Sequence, residues 1–136
     1  MIVTVNYAME IAEKFYSKKT CEHAKRVATY IEGNNMIPIM QKERCVMLAI
    51  MHDLLEDTSY SMEEIEDTYF KECLVLLTKD KEMDYITYIK RIKALSGTYP
   101  EIYWVKLADM KDHLAQKETL TQHLKDKYLN ALPELL

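Results

Sequence analysis

Apolar residues recur along this chain with the period of a helix. Val5, Ala8, Met9, Ala12, Phe15 and Tyr16 fall three and four apart, which predicts a helix from Val5 to Ser17. Thr20 offers an N-cap for a second helix. Ala24, Val27, Ala28 and Ile31 keep its period until Gly33-Asn34-Asn35 stops it. Pro38 suits the first turn of a third helix, which runs through Ala49 to about Glu56. Ser61 with Glu64 matches a capping box for a short fourth helix. Lys71 to Thr78 reads as a fifth, and Met83 to Leu95, ended by Ser96-Gly97, as a sixth. Pro100 opens a seventh that reaches about Leu114, and Thr119 or Thr121 starts the last, to about Leu132 before Pro133. The pattern predicts an all-α fold, a helical bundle of about eight helices.

Composition supports this reading. Two glycines and three prolines in 136 residues are too few to punctuate an all-β fold. Hydrophobic residues make up 49% and charged residues 29%, the balance of a globular chain rather than a disordered one. Repeats, low-complexity tracts and Ser/Gly-rich linkers are absent, so residues 1–136 read as a single domain. A net charge of −4 argues against nucleic-acid binding through a broad basic face, while leaving room for a local basic pocket. Acids interrupt the apolar run of "MIVTVNYAMEIAEKF", so no signal peptide is expected, and no apolar run is long enough to cross a membrane. Cys21, Cys45 and Cys73 are odd in number and lack a Cys-x-x-Cys spacing, which fits core thiols in a reducing compartment. The expected location is cytoplasmic. Ten tyrosines and nine methionines, mostly on helical faces, read as core and core-edge residues. Any on exposed faces leave a homodimer open.

One stretch does not fit an ordinary helix end. In "HDLLEDT", His52 and Glu56 are four apart, as are Asp53 and Asp57, so three carboxylates and an imidazole crowd one helix terminus. Carboxylates at a helix C-terminus oppose the helix dipole and one another, and a divalent cation reverses that sign. Further donors lie elsewhere. His23 sits in "TCEHAKRVA" beside the coreward Ala24 and Val27, and Asp109 follows the apolar-rich run Val105-Lys106-Leu107-Ala108. A lone core histidine or a capping aspartate is the plain reading of each. Their order along the chain, H, then HD, then D, weakens those plain readings jointly.

That order resembles the signature of the HD-domain phosphohydrolases. "HDLLEDT" (His52 to Thr58) is similar to the HD-x-x-EDT of the (p)ppGpp hydrolase domain of RelA/SpoT enzymes and of the small metazoan SpoT homologues. "VKLADMKDHL" (Val105 to Leu114) is similar to their VKLADRLHNL, and "SMEEIEDTYF" and "VLLTKDK" fall where those enzymes have a short helix and a V-x-x-LT stretch. The resemblance spans about residues 15–115. It implies a compact HD-type bundle without room for a synthetase domain. It implies one divalent metal, Mn²⁺ with Zn²⁺ or Fe²⁺ as alternatives, held by His23, His52, Asp53 and Asp109. It also implies Glu56 and Asp57 as catalytic acids and a nucleotide substrate, (p)ppGpp, cleaved to GDP or GTP and pyrophosphate. Lys18, Lys19, Arg26, Lys106 and His113 are the expected substrate-binding residues, and Thr58 is expected to end its helix through a local hydrogen bond.

The chain departs from the family at Lys111, Asp112 and His113. His113 stands in place of an asparagine that helps hold the nucleotide sugar, and Asp112 in place of a histidine. Ala24 and Cys21-Glu22 replace the proline after the first histidine and the Tyr-Ile before it. Two alternatives therefore stand beside (p)ppGpp hydrolysis. One is an HD nucleotidase or phosphatase acting on another nucleotide, such as NADPH or a nucleoside phosphate. The other is a catalytically silent helical interaction module.

Overall fold

The computed structural model describes residues 2–136. Their order is α1 (Val5–Phe15), α2 (Lys18–Glu32), α3 (Ile39–Met51), α4 (Leu54–Asp57), a 3-10 turn (Met62–Glu64), α5 (Thr68–Leu76), α6 (Tyr85–Leu95), α7 (Pro100–Ala115) and α8 (Gln122–Leu135). The fold is all-α, and the described residues form seven helices of nine residues or more and one, α4, of a single turn. Five of the long helices open on a side-chain cap: Thr4, Ser17, Asp67, Asp84 and Thr121 each accept the N–H three residues on. Ser17, not Thr20, caps α2, because Thr20 supplies the N–H that Ser17 accepts at 3.2 Å. Ser61 accepts from Glu63 at 3.3 Å and starts a 3-10 turn rather than the expected α-helix. Pro133 lies inside α8, in its last turn, where it supplies no N–H to the Leu129 carbonyl one turn back.

Helices α2, α3 and α7 pack against one another, α1 lies on α3, and α8 packs against α6 and α7. The reason α3 is central is its run Cys45 to Met51, buried at all seven positions, since a helix apolar all round has no face to give to water. α7 is also central but buries four charged side chains: Glu101, Lys106, Asp109 and Asp112. Each has a partner, as burial demands. Glu101 accepts from Arg44 at 2.8 Å and from the Tyr69 hydroxyl at 2.6 Å. Lys106 pairs with Asp109 on its own helix, and Asp112 takes Arg26 and His23 from α2.

The third helix does not run on to Glu56. It stops at Met51, and a new turn begins after Asp53. Side chains take over the backbone bonds at the break. The His52 Nδ1 lies 2.6 Å from the Ala49 carbonyl, and the Tyr16 hydroxyl donates to the Ile50 carbonyl at 2.9 Å while accepting the Asp53 N–H at 3.1 Å. Thr58 then ends α4, its hydroxyl donating to the Leu54 carbonyl at 2.6 Å. Leu54, wholly buried between His52-Asp53 and Glu56-Asp57, anchors the segment.

Candidate metal centre

The break in α3 is where three helices aim polar side chains at one point. α2 brings His23, the break brings His52 and Asp53, and α7 brings Asp109. One donor atom from each lies within 4.8 Å of all the others. Asp109 Oδ1 is 2.8 Å from His23 Nε2 and 3.0 Å from His52 Nε2. Asp53 Oδ2 is 3.2 Å from His52 Nε2 and 3.8 Å from His23 Nε2. His23, His52 and Asp109 are buried, and Asp53 is half-buried.

The outer nitrogens of both rings decide what the inner ones can do. A backbone carbonyl only accepts, so His52 Nδ1 carries a hydrogen toward Ala49. His23 Nδ1 lies 2.6 Å from the Asp112 carboxylate and donates there. In the neutral imidazoles, both Nε2 lone pairs therefore face the carboxylate oxygens of Asp53 and Asp109. That arrangement is repulsive unless each ring takes a second proton or a cation stands among the four atoms. The protein's electrostatics point the same way. Burial pushes the His52 imidazole down, but Asp53 and Asp109 outweigh it and raise it to about 9. Burial also opposes charge on His23, and hydrogen bonding to Asp109 raises it in spite of that. The two rings have centroids 5.5 Å apart, so two extra protons would lie close together. A single divalent ion removes the need for both. Two imidazole nitrogens and two carboxylates form a donor set able to hold such an ion.

Asp109 is the hub. Burial disfavours its charge, but Lys106, His113, His23 and His52 together hold it well below the usual carboxylate range. Lys106 Nζ takes Oδ2 at 2.8 Å, which leaves Oδ1 to the histidines. That lysine is buried with its ammonium 5.0 Å from the Tyr88 ring centre and 5.6 Å from that of Tyr85, and Asp109 holds it well above its ordinary value despite the burial.

A cleft of about 110 Å³ opens beside the cluster, lined by Asp53, Glu56, Leu77, Lys79, Tyr85, Tyr88, Lys106, Asp109, His113, Lys127 and Tyr128. Glu56 lies on its rim; burial first, then Asp53 and Asp57, raises its carboxyl above the ordinary value. Asp57 is raised by burial and by Asp53, but it is exposed and lies outside the lining. Of the expected substrate-binding residues, Lys106 and His113 line the cleft. Lys18 and Lys19 are exposed on the first turn of α2, away from it. The Arg26 Nε donates to both oxygens of Asp112, at 2.9 and 3.1 Å, rather than facing the cleft.

Sequence reasoning missed Lys79, Tyr85, Lys127 and Tyr128. Lys127 sits 4.4 Å from the Tyr85 ring centre, and burial together with Lys106 and Lys79 lowers it below the ordinary lysine value, so the three ammoniums repel across the cleft. The Tyr85 hydroxyl is buried and makes no hydrogen bond within the described residues. His113 stacks flat on Tyr128, at 4.9 Å and 6°, with its Nε2 3.3 Å from Asp109. Nothing in local periodicity ties α8 to a site on α3. Asp112, one turn on from Asp109, pairs with His23 and Arg26 of α2, a partnership between helices that local spacing does not show.

All three cysteines are buried and free, and burial pushes the Cys45 and Cys73 thiols up to about 12, so they are packing residues. Among the described residues no helix is long and apolar enough to cross a membrane. Comparison with models of known protein families and with curated proteins gave no match.

Proposed function

We propose that this chain is a metal-dependent phosphohydrolase acting on a nucleotide, with (p)ppGpp, cleaved to GDP or GTP and pyrophosphate, as its first candidate substrate. The observation that carries the reaction class is the convergence of His23, His52, Asp53 and Asp109 beside a cleft whose lining includes Asp53, Asp109 and three lysines, Lys79, Lys106 and Lys127. The choice of (p)ppGpp rests on the resemblance of "HDLLEDT" and "VKLAD" to the RelA/SpoT hydrolase domain. Mn²⁺ is the proposed ion, with Zn²⁺ and Fe²⁺ compatible with the same mixed nitrogen and oxygen donors. A divalent ion held by these residues would supply Lewis acidity to a water and to a phosphoryl oxygen.

The chain's own residues do the rest. Glu56, on the rim next to Asp53, holds a raised carboxylate that accepts a proton from the attacking water. Asp57 adds negative charge one turn beyond Asp53 and helps keep that carboxylate basic. Lys79, Lys106 and Lys127 balance the lining's Asp53, Glu56 and Asp109, so a bound dication leaves a net positive cleft that attracts polyphosphate. The unpartnered Tyr85 hydroxyl can donate to a phosphate oxygen. Sites that enclose a drug-sized ligand measure roughly 300–1,000 Å³. At about 110 Å³ this cleft takes the reacting phosphates and leaves sugar and base at its mouth. A nucleotide substrate suits the proposed cytoplasmic location.

A second reading, hydrolysis of another nucleotide such as NADPH, is favoured by His113. Its ring is stacked on Tyr128 and directed at Asp109, where the family carries a sugar-binding asparagine. The test is a panel of ppGpp, pppGpp, NADPH and nucleoside mono-, di- and triphosphates with Mn²⁺. Pyrophosphate release from ppGpp and pppGpp alone supports the first choice, and turnover of NADPH or a nucleoside phosphate instead supports the second. A protein that binds no divalent metal under any loading condition defeats both, leaving the silent helical module.

A further inference from the structure

We propose that Asp112, fixed by Arg26, is a positioning residue for the metal centre: it holds His23 in the tautomer and orientation that present Nε2 to the ion. The inference rests on the metal site proposed above but not on any particular substrate. Asp112 is fully buried, and a buried carboxylate has to be matched by donors. Its Oδ2 lies 2.6 Å from His23 Nδ1, and both its oxygens take the Arg26 Nε–H. Gln116 Nε2 adds a longer contact to Oδ1 at 3.4 Å. His23 is thereby clamped between two carboxylates of α7 one turn apart, Asp112 behind the ring and Asp109 at 2.8 Å in front. The two ligand histidines are then locked by different means. His52 is held by the carbonyl of its own helix, which is neutral, and His23 by a carboxylate from another helix, which makes its imidazole the more electron-rich donor.

This assigns Arg26 a different role from phosphate binding. Arg26 is half-buried, and its Nε is directed at Asp112, so its charge stabilises the carboxylate that orients His23. It acts on the substrate only through the metal centre.

The test measures metal binding without substrate. Mn²⁺ affinity is read by competition with a chelator for the full chain and for Asp112→Ala, Asp112→Asn and Arg26→Gln, with thermal melts in chelator to check folding. The expected result is a Kd raised about 10- to 100-fold in Asp112→Ala. Asp112→Asn, whose amide oxygen can still accept from Nδ1, should fall between it and the wild type. The visible spectrum of the Co²⁺-loaded protein should shift in Asp112→Ala, which a loss of packing alone would not produce. Arg26→Gln should weaken metal binding while leaving KM at saturating metal unchanged. If Asp112→Ala does not fold, Asp112→Asn and Arg26→Gln carry the test. An unchanged metal Kd in the folded Asp112 variants overturns the proposal, as does an Arg26→Gln variant that raises KM alone. If the wild type binds metal, Asp112→Ala weakens it and no nucleotide is hydrolysed, the proposed function fails and this inference stands.

Discussion

The Tyr16 hydroxyl and the backbone N–H of Asp53 meet at 3.1 Å, and the same hydroxyl donates to Ile50 at 2.9 Å. One phenol thus closes both sides of the gap between α3 and α4. Tyr16 is buried, and burial and the nearby Asp53 carboxylate raise its hydroxyl far above the ordinary tyrosine range, so it stays protonated and able to donate. Tyr16→Phe removes a donor and an acceptor and leaves two backbone groups without partners. The expected cost is about 1–3 kcal/mol of unfolding free energy, together with weaker metal binding because Asp53 loses its backbone anchor. Urea denaturation with and without Mn²⁺ measures both, and an unchanged denaturation midpoint argues against the bridge.

The site should give the metal-free protein an unusual pH profile. His52 is raised to about 9, so its contribution is complete below the unfolded value of about 6.5 and is lost as pH rises toward 9. The loss is on the order of 3 kcal/mol. Asp109 is depressed, so its contribution is present above the unfolded aspartate value of about 4 and is lost as pH falls below it. Metal binding needs Nε2 free of a proton, so the stabilisation added by the metal should grow over this interval, with the loaded protein staying level while the metal-free one loses stability. Denaturation midpoints between pH 6 and 9.5, in chelator and in Mn²⁺, test this. Parallel curves would contradict the shared use of Nε2.

Much of this arrangement was legible in the sequence. The pattern identified the helices because capped, periodic segments decide them locally. The four converging residues stood out because their order along the chain, H, then HD, then D, resembles the HD-domain signature. The break at His52-Asp53 was not legible. An unbroken helix satisfies the same spacing, and what interrupts it is Tyr16, distant in sequence. Asp112 read as a departure that added unwanted charge, because its counter-ions, His23 and Arg26, lie on another helix. Of the lysines chosen from sequence, Lys106 lines the cleft, whereas Lys18 and Lys19, near His23 in the chain, do not. Lys79 and Lys127 come from other segments that only packing brings to the cleft.

Glu56→Ala should abolish turnover and keep the metal. Removing a positioned base typically costs about 10²–10⁴-fold in rate, and Glu56 is not among the four converging donors. Metal content by elemental analysis alongside kcat checks this. Loss of metal with loss of activity would place Glu56 in the ligand set instead.

Lys127→Met removes one of the three clustered ammoniums without touching a ligand. KM should rise more than kcat falls, and the rise should be larger for substrates carrying more phosphate charge. Steady-state kinetics at two ionic strengths measures it, with the wild type more salt-sensitive than the variant. Equal salt dependence would remove Lys127 from substrate attraction.

Away from the site, Arg44 and Glu101 should be unequal in mutation. Glu101 is almost fully buried, whereas the Arg44 side chain is 38% exposed. Arg44→Ala strands a buried carboxylate with only Tyr69 as donor, at a cost approaching 3–5 kcal/mol. Glu101→Ala leaves an arginine that can turn to water, at about 1–3 kcal/mol. Chemical denaturation of the two variants ranks them, and the reverse order would show that Glu101 is held mainly by Tyr69.

α7 carries the counter-ion Lys106, the hub Asp109 and the orienting Asp112 at intervals of three residues, with Lys106 on Asp109 and both aspartates on His23. This makes the helix a poor place for insertions. One extra residue upstream of Lys106 would turn the whole set by about 100° about the helix axis, taking both aspartates from His23 together. It also sets the smallest unit that could be moved into another scaffold. Grafting only His23, His52, Asp53 and Asp109 would transfer the donor atoms without the residues that aim them. A working transplant would need the Tyr16 bridge, the Arg26–Asp112 pair and Lys106 as well.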